Sequence, residues 1–493
     1  MSTIFTFVVS NGVSSSDPFE FEVQGPRYQI SLGAVCKAWR HIVRSTPQLW
    51  TSIRIRLQSD FPQLEILRLF LQLSCSLPLH IQATSPSRYK PTQEDWPMLS
   101  SVLEMLNDHS ERWKTLEIHL IPRLLALIRG VSPGAPTLEH LRIRIFGTRT
   151  TSAFQLSFGL PSPRIVDVDG VLFSSTGINW KNVTKLNFGT LSYGECFSLF
   201  QQAVHLVECQ IKVLRPGDPD MAGPFGVISV PCLALLQVHF VDNPSAFLER
   251  VILPSLERFE PRGGGPFDGL EHLFNRSSTV CSLCSLTFCW AIFNGDIISI
   301  LRETLLLESL VFIHVQSYGP DELNELFAML VRTKLVSNLS QDASLIFLPH
   351  LEALCFFGTE EYPWHLVSFL FPPSQQPPLT RYRPLQLLMF NLSFEDYPHD
   401  YFDKGLTAQL LAVQRQKCTL IIRNETDDAD LLRLSRIHHF GTDQGGSGSE
   451  DGEETDGEGS DSENGEETDE GGSDSEDGEE TDEERSVSED DEH

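Results

Sequence analysis

Three cysteines that lie close together in the sequence have the residue type of a zinc site but not its full number of ligands. Cys281 and Cys284 are separated by two residues, and Cys289 follows them. A structural zinc site needs four ligands, usually two such pairs, and the nearest further candidates, His272 and Cys355, are not arranged as a second pair. We therefore expect buried or surface thiols, and we predict no metal ligands.

The sequence contains no other arrangement that would carry catalysis. It has no glycine-rich phosphate loop, no G-x-S-x-G elbow and no H-E-x-x-H motif. Asp167 and Asp169 lie two residues apart on an expected strand and so share one face, but they lack the spacing of a metal-binding loop. We expect a solvated acidic face there. These patterns predict a protein that is not an enzyme and that uses no cofactor.

The acidic charge of the chain is concentrated at its C-terminal end. The formal net charge of the 493 residues is −30, and residues 443–493 hold 25 of the 67 acidic residues but one of the 37 basic residues. The remaining 442 residues hold 42 acidic and 36 basic residues, a net charge of −6. Because a tail of this kind repels phosphates, we expect no direct nucleic-acid partner.

This tail contains an internal repeat and almost no apolar residues. GSDSENGEETDE at 459–470 returns as GSDSEDGEETDE at 472–483. Such a composition cannot offset the entropy of folding, so we predict disorder. A solubilising tail is the simplest interpretation, and the alternatives are binding to a basic partner such as histones or intramolecular masking of a basic groove. An acidic residue three positions downstream marks six candidate sites for an acidophilic casein-type kinase: Thr455, Ser460, Ser473, Thr481, Ser486 and Ser488.

Near the other end of the chain, residues 30–50 have the pattern of an amphipathic helix followed by a short second element. Apolar side chains recur at intervals of three and four residues. Ser31 suits the start of one helix, and Pro47 suits its end. A strand-like alternation follows at 51–57. The apolar residues that we single out in this head are Leu32, Val35, Cys36, Trp39, Ile42, Leu49 and Trp50.

The order of residues in the head resembles the second half of the F-box as it occurs in mushroom-forming fungi. V-C-K-A-W-R-H-I, followed by S-T-P-Q-L-W, fills nearly every position of that pattern. Two later segments resemble further landmarks of the family, LRLFLQLSCSLPLHIQA at 67–83 and LNDHSERWKTLEIHL at 106–120. The first helix of the family, L-P-x-E-[IL], is not matched, since only Ile4 and Phe5 correspond to its end. Either the F-box is incomplete or the gene model starts late.

The resemblance implies a non-catalytic substrate-recognition subunit of an SCF-type, cullin–RING ubiquitin ligase. The head would bind the Skp-type adaptor and through it the cullin ligase core, and the seven head residues would either contact the adaptor or hold the F-box together. A protein substrate would bind the repeats. The alternative function is a non-ligase scaffold whose acidic tail binds basic partners.

From residue 135 onward one apolar pattern recurs, in which an anchor is followed after two residues by a second apolar residue and then by a third. The first seven separations between anchors average about 24 residues, within the range of leucine-rich repeats. The separation of 44 residues from Leu307 to Leu351 fits two units with one obscured. The usual asparagine after the third leucine is missing in all ten units, so we expect an irregular array. The anchors are Leu138, Pro163, Val183, Leu206, Leu233, Leu256, Leu283, Leu307, Leu351 and Leu385.

These patterns predict an α/β fold with a short helical F-box-like head, an irregular leucine-rich-repeat solenoid with a curved parallel sheet, and a disordered acidic tail. The predicted ranges are 1–57 for the partial F-box-like head, 58–134 for a connector and first repeat cap, 135–425 for the repeats, 426–442 for a linker and 443–493 for the tail.

The composition also bears on location. No apolar run approaches the ~18 residues that span a bilayer, so we expect no membrane partner. The N-terminal stretch IFTFVV is short and lacks a preceding cationic region, which does not fit a secretory signal. The ten cysteines form no regular framework, which favours reduced thiols. We expect an intracellular protein, cytoplasmic and/or nuclear.

Overall fold

The chain divides into two units, residues 1–442 and residues 443–493. Every residue described below belongs to the first unit, and the acidic tail with its six phosphorylation candidates lies outside the described residues. The computed structural model describes residues 28–57, 63–86, 91–130, 138–146, 154–157, 159–217, 226–263, 267, 269–277, 282–293, 295–317, 320–332, 335–336, 347–358, 362–371, 381–382, 384–392, 401–414, 418–424 and 428–441.

Fourteen short strands form one parallel sheet, and their order in the sheet is their order in the chain. Each strand therefore pairs only with its predecessor and its successor. The strands are β1 (Ser52–Arg56), β2 (Leu79–Thr84), β3 (Trp113–Leu120), β4 (His140–Ile145), β5 (Ile165–Asp169), β6 (Lys185–Ser192), β7 (Glu208–Arg215), β8 (Leu235–Phe240), β9 (Arg258–Arg262), β10 (Ser285–Cys289), β11 (Ser309–Ile313), β12 (Ala353–Gly358), β13 (Leu387–Leu392) and β14 (Thr419–Asn424).

Thirteen helices lie in the described part of the chain, two before the sheet begins and the others between its strands or after them. They are α1 (Tyr28–Val35), α2 (Lys37–Arg44), α3 (Gln63–Leu73), α4 (Trp96–Asn107), α5 (Pro122–Leu125), α6 (Tyr193–Gln202), α7 (Ser245–Leu248), α8 (Leu270–Ser277), α9 (Gly295–Glu303), α10 (Pro320–Arg332), α11 (Trp364–Val367), α12 (Lys404–Gln414) and α13 (Leu431–Phe440). Their buried apolar side chains join one core cluster with the inward side chains of the strands.

Shorter elements complete the connections between strands. The 3₁₀ turns span Pro47–Trp50, Ser110–Arg112, Phe173–Ser175, Trp180–Asn182 and Ser368–Leu370. Two-residue strand pairs join Phe154–Gln155 to Thr176–Gly177, Ile228–Ser229 to Val251–Ile252, and Ile292–Phe293 to Gln316–Ser317 in parallel, and Leu335–Val336 to Arg381–Tyr382 antiparallel. No helix of the described residues has the length and apolar character to cross a membrane.

Alternation along the strands determines which side chains reach the core. In a strand, successive side chains point to opposite faces, so every second residue can be buried. Leu286 of β10 lies beside Leu310 of β11, which lies beside Leu354 of β12, and all three are fully buried. Because the neighbouring strands stay in register, these positions form a continuous inward row across the sheet.

A second inward row ends in a ladder of stacked phenylalanine rings. The ring centroids lie 5.7 Å apart for Phe288 and Phe312, 5.1 Å for Phe312 and Phe356, and 5.5 Å for Phe356 and Phe390. Phe327 of α10 stacks on Phe356 at 5.5 Å. The rings are nearly parallel because the register places one above the next, and each such pair adds to the free energy gained by burial.

The apolar anchors found in the sequence have one structural position in common. Each of the ten lies two residues before the first residue of a strand, from β4 to β13. Leu138 and Leu351 are buried, and Leu385 packs against the core although it is partly exposed. Each anchor therefore precedes the first inward residue of its strand by three positions. The prediction of a mixed α/β fold with a large parallel sheet is confirmed.

The structure differs from the sequence expectations at three places. The separation of 44 residues does not hide another strand of the sheet, since β11 pairs directly with β12 and α10 occupies part of the interval. Residues 431–440, expected as part of a linker, form α13, whose Leu431 and Leu432 are buried in the core. The sheet also begins at β1 and continues through β2 and β3, so it includes the ranges assigned to the head and the connector.

We expect Phe312→Ala to lower the free energy of unfolding by about 3–5 kcal/mol, because the change leaves a cavity in the middle of the ladder. Val311→Ala is the matched control, since Val311 is the preceding residue of the same strand but points to the other face and is half-buried. Urea unfolding of both variants measures the difference. Equal stability of the two variants would contradict the assignment of the core face.

Candidate functional site

The head consists of two short helices separated by Cys36. This residue has an extended backbone, with φ −157° and ψ 172°, and its Sγ accepts the N–H of Trp39 at 3.4 Å. The guanidinium Nε of Arg40 donates to the carbonyl oxygen of Gly33 at 2.9 Å and thus joins α2 to α1. The single helix expected between Ser31 and Pro47 is therefore interrupted, and its apolar stripe is divided in two.

Part of the head packs inside the protein. Leu49 and Trp50 are buried, and the indole Nε1 of Trp50 donates to the carbonyl oxygen of Val43 at 2.8 Å. The ring of Trp50 meets Phe70 of α3 edge to face, with the centroids 4.9 Å apart. The side-chain amide of Gln29 donates to the carbonyl oxygen of Leu49 at 2.9 Å. These contacts attach the head to the start of the sheet and leave Leu49 and Trp50 without a surface for a partner.

The remaining head residues separate into an inner and an outer group. Leu32, Trp39 and Ile42 are partly buried and pack against the core. Val35 is 60% exposed, and Cys36 is exposed as well. We name the exposed turn that these two residues form the head turn. Of the seven head residues predicted from the sequence, the structure therefore leaves only these two at the surface.

The second candidate surface is the open face of the sheet, which we define as the side chains that alternate with the inward rows. In β1–β9 these positions are mainly polar. Across the sheet ten of them are Arg or Lys, namely Arg54, Arg56, Arg142, Arg144, Lys185, Lys212, Arg215, Arg258, Arg262 and Arg423. Five are acidic, namely Glu117, Asp167, Asp169, Glu208 and Glu260. The open face is thus cationic, whereas residues 1–442 as a whole have a net negative charge.

Asp167 is the centre of an ion-pair network on this face. Its Oδ2 accepts from Arg142 Nε at 2.9 Å and from Arg144 Nη2 at 3.1 Å, both on the neighbouring strand β4. Arg142 also lies 3.5 Å from Glu117 on β3. The expectation of a solvated acidic face is wrong for Asp167, which is buried. Two arginines on the next strand compensate its charge, as a buried carboxylate requires.

Asp169, the second acid of that pair, makes a different contact. Its Oδ2 accepts from Lys212 Nζ at 2.6 Å, although Lys212 lies on β7, two strands away. Gly189 of β6 lies between them, and a Cβ there would collide with the carboxylate of Asp169. The absence of a side chain at Gly189 therefore allows this ion pair to cross an intervening strand.

Glu260 forms a second polar group farther along the face. One carboxylate oxygen accepts from Arg262 on the same strand, and the other accepts from Gln237 Nε2 of β8 at 2.7 Å. The carboxylate is largely buried, and Arg262 remains partly exposed at the surface. Glu260 is thus fully engaged within the protein, whereas part of the guanidinium of Arg262 can reach a partner.

His119 lies beside the Asp167 network and is buried. Burial, and after it the positive charges of Arg144 and Arg142, lower the pKa of His119 to about 4, while Asp167 acts in the opposite direction. Burial disfavours the charged imidazolium, and the two arginines repel it. The side chain is therefore neutral at pH 7.

Of the three cysteines considered as zinc ligands, the structure describes Cys284 and Cys289. Cys281 lies outside the described residues. The thiol of Cys284 donates to the carbonyl oxygen of Glu257 at 3.3 Å, and Cys289 is buried at the end of β10. Burial raises the pKa of Cys289 to about 11. A raised pKa disfavours the thiolate that binds a metal. Within the described ranges no group of three or more His, Cys, Asp or Glu side chains could hold a metal ion.

Comparison with known proteins adds no further assignment. No protein-family model matches the chain, and no curated protein matches it. The head turn and the open face are therefore the two candidate binding surfaces of the described residues.

Most of the open-face residues could have been found from the strand alternation, because every anchor marks where the alternation begins. The alternation does not predict which of these side chains contact one another. Neither the two-strand span of the Asp169–Lys212 pair nor the double arginine contact of Asp167 follows from spacing along one strand. Ile30 of α1, which is 38% exposed, was also missed because the helix was expected to start after it.

We expect acid to destabilise the protein through His119. Its folded-state pKa is about 4, below the ordinary value of 6.5, so between these pH values the unfolded state binds a proton that the folded state does not. Stability should fall with pH in that window, by about 2 kcal/mol from pH 6.5 to pH 5.

Urea unfolding of wild-type protein and of His119→Gln at pH 7 and pH 5 measures this contribution. His119→Gln should lose less stability than wild type between the two values, and His140→Gln, at an exposed position on the next strand, should behave like wild type. An unchanged pH dependence in His119→Gln would contradict the assignment.

Proposed function

We propose that the protein is a non-catalytic substrate-recognition subunit of an SCF-type ubiquitin ligase and acts inside the cell. The head would bind a Skp-type adaptor, and the sheet would bind the protein to be ubiquitylated. In such a ligase this subunit brings the substrate close to the reacting groups, which raises the rate by proximity, while its partners carry the chemistry.

The observation that carries this proposal is the head turn. The residues V-C-K-A-W-R-H-I, which resemble the fungal F-box, include both Val35 and Cys36, and these two remain exposed while the other head residues pack inward. A valine that is 60% exposed at a turn between two helices contributes little to folding. An exposed apolar side chain next to a structured anchor is typical of an interface position.

We also propose that the array of strands is an irregular leucine-rich-repeat solenoid. Its support is the agreement between sequence period and strand order, since every anchor precedes a strand by the same two residues and every strand pairs with the next along the chain. Stacked units of this kind give an extended surface made of one row of side chains per strand position. Such a surface suits protein recognition.

We expect Val35→Asp to weaken the affinity for the adaptor by about tenfold or more, because a charge would be placed in an apolar contact. The full-length chain is purified, and its affinity for a purified Skp-type adaptor is measured by titration. Val241→Asp is the matched control, since Val241 is 56% exposed, lies after β8 and is far in sequence from the head. Its affinity should equal that of wild type.

Failure of the wild-type chain to bind the adaptor would overturn the ligase proposal and favour the scaffold function, in which the acidic tail binds basic partners. Equal binding by Val35→Asp and wild type would show that the head turn is not the contact. Because Val35 is exposed, unfolding of the variant is not expected, and circular dichroism checks this point.

A further inference from the structure

The open face changes from polar to apolar side chains at β10. In β3–β9 its middle row is polar throughout, and Gln237 and Glu260 are its last two members before the change. From β11 onward the same row continues with Val311, Cys355, Met389 and Ile421. The register is continuous across this boundary, so the change lies in the side chains and not in the backbone.

We name Val311, Ile313, Phe357, Met389 and Ile421 the apolar patch. Each of the five is half-buried. Gln210 and Gln237, in the polar half of the open face, are half-buried as well. None of the five belongs to the core cluster of the described residues or packs against it. Folding of the core therefore does not explain their apolar character, and a continuous apolar surface of this kind indicates a binding site.

An aromatic shelf borders the apolar patch. Trp290 and His314 stack with their ring planes 10° apart and their centroids separated by 6.2 Å, and His239 lies 6.3 Å from Trp290. Trp290 is 48% exposed. We define these three residues as the aromatic shelf. Trp290 and His314 directly follow the last residues of β10 and β11, so the aromatic shelf lies at the carboxyl ends of the strands.

Two residues of the aromatic shelf have a backbone conformation that is unfavourable for bulky side chains. Trp290 has φ +52° and His314 has φ +47°. Gly263 occupies the equivalent place after β9 and also has a positive φ. Their N–H groups donate to carbonyl oxygens near the end of the next strand: Gly263 to Cys289 at 3.0 Å, Trp290 to Ile313 at 2.8 Å and His314 to Phe357 at 2.6 Å. Glycine adopts this conformation without steric cost, whereas a bulky residue there is unusual and is found at functional sites.

Two cationic side chains lie on β9, between the strand that holds His239 and the strand that Trp290 follows. Arg258 of β9 is exposed, and Arg262 of β9 is partly exposed next to His239 in the register. The open face as a whole holds ten basic and five acidic residues, as described above. A segment that binds across this boundary thus meets apolar groups on one side, and aromatic rings together with positive charge on the other side.

We propose that the apolar patch and the aromatic shelf bind an extended segment of a partner protein, in which aliphatic or aromatic residues lie next to acidic ones. The apolar residues would pack on the apolar patch, a ring would stack on Trp290, and the acidic residues would face Arg258 and Arg262. From β8 to β14 the face spans six strand spacings of about 4.8 Å, enough for roughly nine extended residues. The inference rests on the proposed function, since the segment would belong to the substrate.

The probe is a phage-displayed library of random twelve-residue peptides, selected on the full-length protein. We expect the selected peptides to combine apolar and acidic residues. Binding of one synthetic selected peptide is then measured by fluorescence anisotropy. Met389→Asp should weaken it by about tenfold or more. Leu306→Asp is the matched control, because Leu306 is exposed and lies before β11, away from the open face, and its affinity should equal that of wild type.

Trp290→Gly separates binding from folding. Glycine suits the positive φ at this position, so the urea midpoint should not fall, while the affinity for the peptide should fall because the ring is lost. Arg258→Glu should weaken binding of acidic peptides and strengthen binding of variants in which the acidic residues are replaced by lysine.

Three results would overturn the proposal: no peptides selected, a selected consensus without apolar residues, or equal binding by wild type and Met389→Asp. The outcome is independent of the adaptor, because Val35→Asp should keep full peptide affinity. Adaptor binding without peptide selection would leave the ligase function standing and remove this site. Peptide binding without adaptor binding would leave this site standing and remove the ligase function.

Discussion

The packing of inward side chains between neighbouring parallel strands is the interaction on which the rest of the structure depends. One strand of five or six residues buries only two or three side chains and cannot hold a fold by itself. Leu286, Leu310 and Leu354, together with the rings of Phe312 and Phe356, lie next to one another because β10, β11 and β12 keep one register. A slip by one residue would move the whole row to the opposite face, so core packing strongly specifies the register.

This constraint also creates the functional surfaces. Once the inward residues are placed, the alternate residues must form rows on the open face, about 4.8 Å apart from strand to strand. Those rows are free to vary in chemistry because they do not build the core. The Asp167 network and the apolar patch occupy the same kind of position in the same sheet, and they differ only in which side chains stand there. A uniform core thus supports a surface with distinct polar and apolar halves.

The sequence predicted the elements well where a local pattern carries the information. The strand that follows each anchor was predicted because two inward residues and their spacing repeat within six positions. The interruption at Cys36 was missed, since an apolar stripe at helical spacing continues across it and the extended backbone leaves no clear sequence signal. The 44-residue interval was misread for a related reason, because α10 and its connections take the space of another unit without contributing a strand to the sheet.

The sequence by itself determined the alternation, the positions of the ten strands that follow the anchors and the composition of the head, because these depend on residues within a few positions of one another. The tertiary structure decided which side chains meet across strands. Asp167 is buried and its charge is compensated, because β4 places two arginines beside it. Trp50 is buried because the head packs against Phe70 of α3, whereas Val35 of the same head remains exposed. Contacts between strands depend on register and packing, which spacing along one segment does not contain.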